Sequence, residues 1–82
     1  MLMDLPATLN IDARRKAALR QVIFDAVESM DYNDTYCFTL GCRLAINERA
    51  GGMTIRDKTL EGYPELMLEG RKLVANFLAS PP

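Results

Sequence analysis

The sequence predicts an all-α protein, a small antiparallel bundle of three main helices with one short helical turn. Apolar residues recur at three- and four-residue steps through its long segments, capping side chains stand ahead of them, and Gly or Pro closes them. With 82 residues, the chain has room for a single helical domain spanning 1–82. Its opening stretch, 1–11, is an apolar arm carrying Leu2, Met3, Leu5 and Leu9.

The first helix is expected over 12–30, because Leu19, Val22, Ile23, Ala26, Val27 and Met30 fall on one stripe and Asn10 or Asp12 can serve as its N-cap. Asp31-Tyr32-Asn33 then breaks the pattern with turn-forming side chains, leaving Asn33 or Asp34 to cap a second helix over 34–50. Thr35 to Leu40 has the β-branched and aromatic content of a strand, but the periodicity favours a helix, with Cys37, Leu40, Gly41, Leu44 and Ala45 on its core face. The competing reading is an α-β-β-α order, with a hairpin of strands around Cys42-Ile46 and Met53-Arg56.

Gly51-Gly52 reads as the stop of the second helix, and Thr54 with Asp57 resembles a capping box that opens a short turn over 55–60. Pro64 suits the first position of a last helix, expected over 64–79, whose stripe of Leu66, Gly70, Leu73 and Phe77 runs to a Pro81-Pro82 stop.

Ten Lys+Arg against eleven Asp+Glu give a net charge of −1, so no global field draws the chain to nucleic acid or to an anionic membrane. The absence of histidine removes the commonest general base and most zinc sites. Asp31-Tyr32-Asn33 begins like a calcium loop, but Tyr36 and Cys42 stand where glycine and a bidentate glutamate are needed, so no metal site is expected. No cofactor motif occurs either. Cys37 and Cys42, five apart, cannot pair locally and read as reduced thiols of a cytoplasmic protein, which the lack of a secretory signal at the start also suggests.

Catalysis is not expected. Cys37 or Cys42 would need a partner base, and carboxylates such as Asp25 with Glu28 or Glu65 with Glu69 have the spacing of ordinary solvated helix faces. Binding is the better expectation. Phe24 lies well off the core stripe of the first helix, on the side of Ala13 and Ala17, while Phe38, Cys42 and Ile46 widen the apolar arc of the second. Ala17, Phe24, Phe38, Cys42 and Ile46 are therefore expected at a homo-oligomer or partner interface, unless the N-terminal arm folds back over them.

The favoured function is a small regulatory or inhibitory module that self-associates and docks onto a protein partner. A second reading is an oligomeric sensor or sequestering protein for a phosphorylated small molecule such as a nucleotide. It would use Thr39, Arg43 and Asn47, aligned at four-residue steps, together with Gly51, Gly52 and Thr54. A third is a DNA-binding regulator using Arg14, Arg15, Lys16 and Arg20, although these spread around the helix and no aromatic platform interleaves them.

Overall fold

The computed structural model describes residues 5–52 and 54–80. Four helices follow one another: α1 (Ala13–Val27), α2 (Tyr32–Gly51), α3 (Asp57–Leu60) and α4 (Glu65–Ala79). No strand occurs among the described residues, so the hairpin alternative is overturned: Cys42 to Ile46 lies inside α2. Met1 to Asp4, Met53 and Pro81-Pro82 lie outside the described residues, and with them the expected roles of Leu2, Met3 and the Pro-Pro stop.

The three long helices begin where a short polar side chain or a proline allows it. Asp12 caps α1, its Oδ1 accepting the Arg15 N–H at 2.8 Å. Asp31, rather than Asn33 or Asp34, caps α2 in the same way, accepting the Asp34 N–H at 2.8 Å, so α2 starts two residues earlier than the sequence pattern suggests. The cap position of α3 belongs to Arg56 with no side-chain bond, and not to Thr54 as the sequence pattern suggests. Pro64 stands at the cap of α4, and at the other end the Ser80 N–H donates to the carbonyls of Asn76 and Phe77. α2 ends on Gly52 at φ 68°, a left-handed conformation that L side chains adopt only at a cost.

α2 packs far more extensively on α4 than on α1. The reason is a pair of glycines. A Cβ on Gly41 would fall on the Met67 carbonyl, and one on Gly70 would fall on the Phe38 carbonyl, so the two backbones touch where the helices cross. Mid-helix glycine costs about 1 kcal/mol relative to alanine, and here close approach offsets that cost by letting the flanking side chains interlock.

The core comprises Leu9, Leu19, Ile23, Phe38, Cys42, Ala45, Ile46, Val74 and Leu78. Leu9 is 1% exposed, and Leu5 and Ile11 pack against the same cluster. The described part of the N-terminal arm therefore does fold back. Phe38, Cys42 and Ile46 are buried in the same cluster as Leu9, so the apolar arc expected at an intermolecular interface is filled within this chain. Leu40 and Leu44, expected in the core, lie half-buried on the other side of α2.

Among the described residues, side chains from two pairs of helices meet in polar contacts. Glu48 on α2 grips Arg71 on α4 with both oxygens, Nε donating to Oε1 at 2.7 Å and Nη2 to Oε2 at 2.9 Å. Arg15 on α1 lies over the Phe77 ring at 5.0 Å from its centroid and donates through Nη2 to the Phe77 carbonyl at 2.9 Å. That second contact places a cation at the carbonyl end of α4, where the helix dipole favours it.

Candidate functional site

Among the described residues, three places stand out as carrying groups able to recognise a partner. At the first, the short connection between α1 and α2 is flanked by Phe24, Tyr32 and Tyr36, which remain 53%, 81% and 54% exposed. Phe24 is in the last turn of α1, Tyr32 opens α2, and Tyr36 follows one turn later. Three large aromatic side chains thus keep half or more of their surface in solvent near one end of a helix pair. Ala17, expected beside Phe24, is exposed too, but lies two turns nearer the start of α1.

The second place is the open cleft of about 240 Å³ around the Glu48–Arg71 pair, lined also by Ala45, Arg49, Thr54, Ala75 and Leu78. Hydrogen bonds from Arg71 hold the Glu48 carboxyl below its ordinary range, outweighing the opposing effect of burial, and the Ile55 N–H lends a further bond at 3.4 Å. A carboxylate that stays ionised in this cleft repels phosphate, and Arg71 is already engaged. The expected ligand row does not assemble here. Thr39 is buried, and its hydroxyl is in reach of the Thr35 and Tyr36 carbonyls at 2.9 and 3.0 Å, the usual way a helix satisfies an internal threonine. Arg43 and Asn47 are exposed and do not line the cleft. Gly51 and Gly52 end α2 in open space, and Thr54 alone of that set reaches the cleft wall.

The third place is a shallow apolar depression of Leu40, Leu44, Tyr63 and Met67, on the side of α2 and α4 away from α1's core contacts. No charged residue lines it.

Of the basic residues near the start of α1, Arg14 is exposed, Arg15 is turned onto Phe77, and Lys16 and Arg20 are half-buried. The structure therefore divides the cluster instead of presenting it as one stripe. Burial pushes the Cys42 thiol up to about 12, far from nucleophilic range at neutral pH, while Cys37 is half-buried. Among the described residues no group of His, Cys, Asp or Glu is arranged to hold a metal ion, and no helix is long and apolar enough to cross a membrane. Comparison with protein-family models, curated proteins and solved structures gave no match.

Tyr32, Tyr36 and the Glu48–Arg71 pair were not legible as site residues in the sequence. Tyr32 was readable as a member of a turn and Tyr36 as part of the second helix, but their exposure depends on where α2 starts. The ion pair spans 23 positions, which no helical periodicity reveals.

Proposed function

We propose that the protein is a small regulatory binding module that docks onto a protein partner through the end of the molecule bearing Phe24, Tyr32 and Tyr36. The observation that carries this reading is the exposure of all three aromatics around one short connection. Tyrosine and phenylalanine are the side chains that anchor protein interfaces, because they bury much area at little entropic cost. A photo-crosslinking amino acid placed at position 36 should give a discrete protein adduct in the producing cell. The same group at position 47, exposed near the far end of α2, should not. Equal adduct formation at both positions, or none at 36, contradicts the reading.

Self-association is the second half of the proposal, and it uses a different face. The depression of Leu40, Leu44, Tyr63 and Met67 is uncharged and continuous with the α2–α4 crossing, so two copies can meet there without opposing like charges. The nucleotide-sensor reading receives less support, since an ionised Glu48 lines the cleft and Thr39 is buried away from it. The DNA-binding reading is weakened by the commitment of Arg15 to Phe77.

A further inference from the structure

The docking end carries charge of one sign. From residue 21 to residue 42 the chain has four acids, Asp25, Glu28, Asp31 and Asp34, and neither Lys nor Arg. All four are exposed, and none forms an ion pair among the described residues. In the adjoining cleft beside Ala26 and Phe38, α4 supplies Glu69 and Lys72, one of each sign, so it does not neutralise the patch. The four acids make no cation cage.

Folding explains only half of this charge. Asp31 caps α2 and Asp34 sits in its first turn, where the positive end of the helix dipole favours them. Asp25 and Glu28 are placed the other way, in the last turn and at the C-cap of α1, against the negative end, although Asp25 does accept a hydrogen bond from Gln21 Nε2 at 2.8 Å within the helix. The opposite end of α1 is as contrary, with Arg14, Arg15 and Lys16 in a first turn that has no acid. Helix stability would have reversed these charges. A local rule broken at an exposed aromatic surface marks a position kept for contact.

From the acids and aromatics together we infer that the α1–α2 end takes a cationic partner, a protein segment presenting Lys or Arg side chains, and not a second copy of itself. An isologous dimer through this end would set the acids of one copy against those of the other with no base between them. A basic segment instead finds carboxylates for its charges and aromatic faces for its guanidinium or ammonium groups. The inference rests on the docking reading, and names the chemistry of the partner at that same surface.

Three probe peptides of equal length test it, each an Ala- and Leu-containing amphipathic helix whose polar face is all Lys, all Gln or all Glu. They are titrated into the isotopically labelled protein while backbone amide shifts are followed by NMR. The Lys peptide should shift amides of 24–36, with affinity falling several-fold as salt rises from low to physiological strength, and the Glu peptide should leave them unmoved. Neutralising Asp25→Asn, Glu28→Gln and Asp34→Asn together should weaken the Lys peptide about tenfold at low salt. Phe24→Ala with Tyr36→Ala should weaken it without reducing its salt dependence. Equal binding of all three peptides at 24–36 overturns the cationic partner but leaves a docking surface. Loss through the aromatic substitutions with no effect of the neutralising ones does the same. Shifts confined to other residues, or no shifts with any peptide, overturn both.

Discussion

Gly41 and Gly70 occupy the crossing of α2 and α4, each lying against the backbone of the other's helix. There is no room for a methyl group at either position, and the obstacle is main chain instead of a side chain that could swing aside. Gly41→Ala and Gly70→Ala should each lower stability by about 2–3 kcal/mol, the upper range for overpacking, despite alanine's better helix propensity. Gly51→Ala, with nothing near its Cβ, is the control and should be neutral or slightly stabilising. Chemical denaturation of the three variants checks this.

The Glu48–Arg71 pair makes stability depend on acid. The folded protein holds Glu48 below its ordinary pKa, so its contribution is fully present above about pH 4.5 and is lost as pH falls through the lower folded value. Glu48→Gln should cost about 1–2 kcal/mol at pH 7, less than a fully buried pair because both side chains keep some solvent contact. It should also flatten the loss of stability below pH 4.5, as read from urea midpoints across the acid range.

Cys42 titrates in the opposite sense. Burial raises its thiol from 9.0 to about 12, so the native state keeps a proton that the unfolded chain loses, and stability should decline as pH rises from 9.0 towards 12. At neutral pH a thiol reagent should modify the half-buried Cys37 first and reach Cys42 only on unfolding. Prompt modification of both thiols in the native protein would contradict the buried position of Cys42.

The helices themselves were legible in the sequence. Asp12, the Gly51-Gly52 stop and Pro64 each stand where a boundary falls, because caps and stops are local chemistry. The core face of α2 was not. Its apolar residues extend most of the way round, so periodicity alone could not decide between the arc of Leu40 and Leu44 and that of Phe38, Cys42 and Ile46. Tertiary packing decides it: the second arc joins Leu9, Leu19, Ile23, Val74 and Leu78 in the core, while Leu40 and Leu44 border the depression with Tyr63 and Met67. A signal did exist. Gly41 and Gly70, both on apolar stripes within helices, pointed to close backbone approach, but their pairing joins segments far apart in the chain.

Self-association provides a fourth prediction. Light-scattering mass should show an assembly that Leu44→Glu dissociates and Phe24→Glu leaves intact, with helical circular dichroism retained in both. Dissociation by Phe24→Glu alone would move the self-contact to the aromatic end.

Glu28 separates folding from function most sharply. At the C-cap of α1 its charge opposes the helix dipole, so Glu28→Lys should raise stability by about 0.3–1 kcal/mol. The decisive measurement is the yield of the position-36 crosslink in the Asp25→Lys, Glu28→Lys background. The account predicts that the adduct disappears while thermal stability holds or rises. An adduct of undiminished yield from that stable, charge-reversed protein would contradict the claim that this acidic, aromatic end is where the partner docks.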